Sequence, residues 1–357
     1  MMFNRVLSGD LPRSRVLLAL LVVIGLGLAF APFIFPGAKA INVAAKICIF
    51  IVLVASFDLL LGYTGIVSFA HTMFFGIGAY GVAIALNGMG PTWSAVGVGL
   101  AGALLVSLVL SLLIGLFSLR VKAIFYAMIT LAVATAFQTL ASQLSDFTGG
   151  EDGLSFSVPN VLSPTFSLSA RPFLGVSLDG KLISYYLLVV AAVVLFLVML
   201  RIVNSPFGRV LQAIRENPFR AEALGYRTVL YRTSSSVLSA VFATLAGAML
   251  ALWLRYNGPD TSLAFEIMID ILLMVVIGGM GTMYGAVVGA TLFLIAENYL
   301  QDLLKLVNHA STNVPVLRDL LNPDRWLLWL GLLFILSIYR FPAGIVGKLR
   351  VKPRRAG

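Results

Sequence analysis

Charge is what this sequence has least of. Only 11% of its 357 residues are Asp, Glu, Lys or Arg, against 60% hydrophobic, whereas soluble domains carry about 25% charge. That excludes a water-soluble globular domain and leaves a polytopic membrane protein. Cysteine is nearly absent: Cys48 alone lies inside an apolar run, so there is no disulfide framework and no cysteine metal cluster. The two histidines, His71 and His309, are too far apart in sequence to suggest a zinc ligand set. No Ser/His/Asp, Cys/His or zinc-protease constellation is present, and Gly65-Ile-Val-Ser68 with His71 behind it makes no nucleophile elbow. Residues 175–181 nearly match a phosphate-binding loop, but Leu182 stands where Ser or Thr must hold magnesium. The chain therefore reads as a non-enzyme with no metal, cofactor or ATP site of its own. Its net charge of +10 comes without a basic patch of interleaved aromatics, so it does not imply nucleic acid. Basic loops beside apolar spans answer instead to anionic lipid and the positive-inside bias.

Long apolar runs are abundant. Val16 to Phe35 is uncharged, and about 20 residues at 1.5 Å each match the roughly 30 Å hydrocarbon core. Ala38-Lys39-Ala40 resembles a cleavage site, but the run exceeds a signal-peptide core of about 7–15 residues and reads as a retained span. Further spans are expected at 41–61, 69–87, 94–118, 123–144, 184–200, 234–254, 266–282, 285–303 and 326–340. The fold class is all-α, with about ten transmembrane helices. Its organisation is a cytoplasmic segment 1–15, a transmembrane domain 16–340 that contains the loop 201–232, and a basic cytoplasmic tail 341–357. The run 62–81, rich in glycine and carrying Thr64, Ser68, His71 and Thr72, suggests a broken or re-entrant segment, because irregular backbone at membrane depth needs protein or water around it. With the N-terminus inside, the cytoplasmic segments hold three, two, six and six basic residues, 17 of the 25 Lys and Arg. That split places both termini in the cytoplasm.

The most distinctive polar stretch is the loop 201–232. Ser205-Pro206 and Asn217-Pro218 each set a side-chain cap before a proline suited to the first helical turn, and Gly225 offers a left-handed stop. Two short helices follow, about 206–216 and 218–224. Phe219, Ala223 and Leu224 interleave with Arg220 and Glu222, so the second helix is suited to a protein groove outside the bilayer, although any long loop carries some helix and some arginine. On the opposite side, Thr148-Gly-Gly-Glu-Asp-Gly153 reads as a tight turn with exposed carboxylates.

Ionisable residues within spans are costly and become functional candidates. Asp58, His71, Glu266, Asp270 and Glu297 are candidates for a polar translocation path, Glu266 and Asp270 sharing one helix face. Interhelical hydrogen bonding is the plainer reading of each. Gly281, Gly285 and Gly289 repeat every four residues and suggest close helix packing.

Four motifs carry a family resemblance over roughly residues 40–345. Arg215-Glu-Asn-Pro-Phe-Arg-Ala221-Glu222-Ala223-Leu-Gly225 resembles the coupling loop of ABC importer permeases. Leu61-Gly-Tyr-Thr-Gly65-Ile-Val-Ser68-Phe-Ala-His71, Thr148 to Gly153, and Met274-Val-Val-Ile-Gly278-Gly279-Met-Gly281 resemble branched-chain amino acid permeases. The resemblance implies a bacterial inner-membrane permease for leucine, isoleucine and valine, paired with a second homologous permease. Two cytoplasmic ATPases would bind the ATP and a periplasmic binding protein would deliver substrate. Arg215, Arg220, Ala221, Glu222, Ala223 and Gly225 would form the ATPase-coupling site. Urea, amides or other amino acids remain alternative substrates, and an ion-coupled secondary transporter is the alternative mechanism.

Overall fold

Hydrophobic length dictates the architecture. The computed structural model describes residues 14–35, 37–118, 123–167, 179–310 and 322–349. Among these, α1 spans Arg15–Ile34, α2 Ala38–Thr64, α3 His71–Met89, α4 Trp93–Ser118 and α5 Ala123–Gln143. Then come α6 Gly180–Asn204, two short helices α7 Pro206–Glu216 and α8 Pro218–Ala223, and α9 Thr228–Leu254. The chain continues through α10 Phe265–Gly278, α11 Met283–Ala310, α12 Trp326–Arg340 and a last short helix α13 Gly344–Leu349. Ten of the described helical segments are long and apolar enough to cross a membrane, and they correspond one for one to the expected spans. Two of them, at α10 and α12, reach that length only with their flanking short helices and turns. The protein is thus an all-α polytopic membrane protein. Among the described residues the strands are two residues each, Leu154–Ser155 paired antiparallel with Tyr256–Asn257.

The bundle is built around α2, which is buried almost continuously from Val43 to Thr64. Helices α9, α11, α6 and α10 pack against it, and α9 in turn packs on α3 and α4. The glycines of the 62–81 run find their reason here. A Cβ on Gly78 would fall 1.9 Å from the Thr244 carbonyl oxygen, and one on Gly247 would fall 1.8 Å from that of Phe75. Only bare backbone lets α3 and α9 lie this close. The segment is broken but not by re-entry: α2 ends at Thr64, Gly65 adopts φ +76°, and α3 begins at His71 as a separate continuous span. By contrast α1, α4, α5 and α12 turn large apolar side chains outward, among them Val23, Leu105, Ile124 and Ile335.

Helix ends gather on two faces. One face brings together Gly62, the loop 205–227, the connector 279–282 and the start of α13, whose Gly344 abuts Gly279. The other carries the strand pair and the ion pair of Lys39 with Asp302. Two sequence expectations change in detail. The span expected at 266–282 stops at Gly278, because Gly279 and Gly281 take φ of +117° and +76°. The tail expected from 341 begins with α13, where Val346 is fully buried. Arg5, Arg13, Arg120, Lys122, Arg171, Arg318, the basic residues beyond 349 and the side chain of His309 lie outside the described residues.

Candidate functional site

The loop 205–227 folds as its caps direct. The Ser205 hydroxyl accepts from Gly208 N–H at 3.5 Å, and Asn217 Oδ1 accepts from Arg220 N–H at 3.0 Å. Each cap precedes a proline at the first helical position, and Gly225 closes α8 at φ +89°. Helix α7 is amphipathic, burying Leu211 and Ile214 against the bundle. Helix α8 is the opposite: Ala221 is its only buried residue. Phe219 is 81% exposed and Leu224, just past its end, 72%. Arg220 and Ala223 are exposed as well. Glu222 turns back, its Oε1 accepting from the Thr228 hydroxyl at 2.5 Å, which fixes α8 to the start of α9.

Arg215, in the last turn of α7, fastens this loop to the membrane helices. Its Nη1 donates to the Gly62 carbonyl at the end of α2. Asp58, one turn earlier on α2, accepts from Gly281 N–H at 2.8 Å. The fit is tight: a Cβ on Gly62 would lie 2.0 Å from Asp58 Oδ1 and 2.3 Å from Gly281 N. Loop, α2 and the α10–α11 connector therefore meet in one knot. Gly281 differs from its expected role, since it lies in that connector rather than on a helical stripe. Gly285 and Gly289 do sit on α11, pressed against the α10 backbone at Gly278 and Met274.

The five candidate path residues are not gathered in one place. His71 is buried beside Phe57, with its Nε2 2.8 Å from Ser56 Oγ and 3.3 Å from the Leu53 carbonyl. Asp58 belongs to the knot. Glu266 sits exposed in the first turn of α10. Asp270 and Glu297 alone line a cavity of about 760 Å³ on the opposite face. Phe50, Leu250, Trp253 and Ile267 form its apolar wall, while Lys39, Asn42, Lys46, Asp260 and Asn298 bring further polar groups. Lys46 Nζ lies 3.5 Å from Glu297 Oε2. Lys39 and Lys46 were missed as site residues, though two lysines seven positions apart at one end of an apolar helix are a signal of a shared wet face.

Among the described residues, an all-α bundle with ten helices long and apolar enough to cross a membrane, a loop on one face and a charged cavity on the other marks an integral membrane protein. The chain belongs to the family of permease components of branched-chain amino acid transport systems, whose model matches residues 39–338. It is similar to the high-affinity branched-chain amino acid transport system permease protein LivM of Salmonella typhimurium, 28% identical over 83% of this chain and 71% of the relative. The protein of the same name from Escherichia coli is 26% identical over the same shares. A probable branched-chain amino acid transport permease protein LivM of Methanocaldococcus jannaschii is 24% identical over 73% of this chain and 72% of the relative. No solved structure matches the chain. These relatives are permease components of transport systems rather than enzymes.

Proposed function

We propose that the chain is one membrane subunit of an ATP-driven importer for leucine, isoleucine and valine in the bacterial inner membrane. A second homologous permease completes the path, two cytoplasmic ATPases bind and hydrolyse ATP, and a periplasmic binding protein delivers substrate. The face bearing α7 and α8 is cytoplasmic in this reading. It carries Arg209, Arg215, Arg220 and Arg227, which accords with the positive-inside bias, and both termini then lie inside. The observation that carries the proposal is α8 itself: a short, doubly capped helix that turns Phe219 and Leu224 to solvent while Glu222 ties it to α9 and Arg215, on the preceding α7, anchors the loop to α2. Exposed aromatic and aliphatic side chains on a rigid element are suited to a groove on a partner.

The mechanism follows the connections. A partner that moves α8 pulls α7, and Arg215 passes the displacement to α2 and, through Asp58 and Gly281, to the connector after α10. Both helices reach the opposite cavity, where α2 carries Lys46 and α10 carries Asp270. Lys46 and Gly62 are about 24 Å apart along α2, so motion at one face changes the shape of the other. The test is co-purification from detergent-solubilised membranes. Wild type should bring down both ATPases and a second permease, whereas Glu222→Pro, which removes a helical N–H in α8, should lose the ATPases and remain inserted. Retention of the ATPases by a correctly inserted Glu222→Pro would remove α8 from the mechanism.

A further inference from the structure

The charges of the 760 Å³ cavity do not balance. Its walls bring Lys39 and Lys46 against Asp260, Asp270 and Glu297. Lys39 is engaged by Asp302, and Lys46 by Glu297. Asp260 and Asp270 meet no Lys or Arg within ion-pair distance among the described residues. Asp270 is half-buried on α10 and lines the cavity together with Phe50 and Ile267. Lys46, already held by Glu297, acts on Asp270 only from beyond ion-pair distance, and a half-buried carboxylate without a direct cationic partner is costly unless a cation completes it.

We propose that this cavity is a solute subsite in which Asp270 receives a primary ammonium group. The inference rests on the transport reading for the identity of the solute and on the cavity alone for its charge. Asp270 is the anion that the solute's ammonium neutralises, and Asp260 at the rim draws the cation in. Lys46 sits 3.5 Å from Glu297, longer than a strong charge-assisted hydrogen bond of about 2.7–2.9 Å. Lys46 can therefore turn to a second carboxylate, supplied by the solute. The wall of Phe50, Leu250, Trp253 and Ile267 then takes an aliphatic side chain. The permease itself thereby selects for a charged ammonium group. Neutral amides and urea leave Asp270 uncompensated, and organic anions add repulsion.

Substituted-cysteine labelling of the full-length chain in lipid nanodiscs tests this. Cys48, the single cysteine, is 2% exposed, so a thiol introduced by Asn298→Cys at the cavity wall is read against a silent background. It should react about tenfold faster with 2-aminoethyl methanethiosulfonate than with the 2-sulfonatoethyl reagent, as a local negative potential requires. Adding Asp270→Asn should cut that preference severalfold. Leucine and 3-methylbutylamine, which carry the ammonium, should slow labelling, and 4-methylpentanoate, which lacks it, should not. Equal protection by 4-methylpentanoate, no protection by either amine, or a preference that survives Asp270→Asn overturns the proposal. The protection series needs no change at Asp270, so poor insertion of that variant leaves the test standing. Ammonium protection without ATPase capture sinks the importer reading and keeps the subsite; capture without protection does the reverse.

Discussion

Gly62 concentrates the constraints that act on single residues. Any side chain there meets Asp58 Oδ1 and Gly281 N at 2.0 and 2.3 Å, and overpacking of this kind costs about 1–3 kcal/mol. Gly62→Ala should therefore lower the thermal unfolding midpoint of the detergent-solubilised protein. Gly88→Ala, whose Cβ enters open space, should leave it unchanged or higher; equal midpoints for the two variants would contradict the packing described. His71 makes the same point for polar groups. Ser56→Ala leaves the imidazole with only the 3.3 Å Leu53 contact, and a buried group losing its partner costs about 1–3 kcal/mol. A lowered midpoint with normal uptake would place His71 in packing, whereas lost uptake at normal stability would return it to the path. That His71 is packed and hydrogen-bonded was the plainer reading of the sequence, but its partners Ser56 and Leu53 were not legible, nor were those of Gly62. A titratable residue inside a span declares itself in sequence, but the direction in which it faces depends on helices far away in the chain.

At the scale of elements, α7 and α8 were the most legible part of the molecule. Ser205-Pro206, Asn217-Pro218 and Gly225 are local signals, each acting within about one turn, and local physics governs where short helices begin and end. The links that give those helices a purpose were hidden, because Arg215 to Gly62 joins positions 153 residues apart. Gly281 was misplaced for a related reason: a four-residue glycine spacing looks the same on a helix as it does when its first member is in a positive-φ connector. Arg215→Met should keep insertion and ATPase capture while reducing uptake, since a hydrogen bond to a charged group is worth about 1.5–3 kcal/mol. Loss of capture together with uptake would show instead that Arg215 shapes the docking helix. Phe219→Asp should give the complementary result, abolishing capture with the spans intact, because buried aromatic anchors dominate interfaces.

Across the whole molecule, two faces are joined by helices that cross between them. The ten spans were legible because hydrophobic length is a strong signal, and they appear in the structure one for one. The cavity was not, since it draws on α2, α9, α10 and α11, and only tertiary packing brings these together. Helices α2 and α10 run from the knot at Gly62 and Gly281 to the cavity at Lys46 and Asp270. In the proposed mechanism, that continuity couples the loop 205–227 to the charged cavity. The most direct measurement is ATP-dependent leucine uptake into proteoliposomes holding the co-purified complex, with wild type beside Glu222→Pro. Uptake is expected to require ATP and to disappear in the inserted variant. Uptake by the purified chain alone, driven by an ion gradient and indifferent to Glu222→Pro, would contradict it.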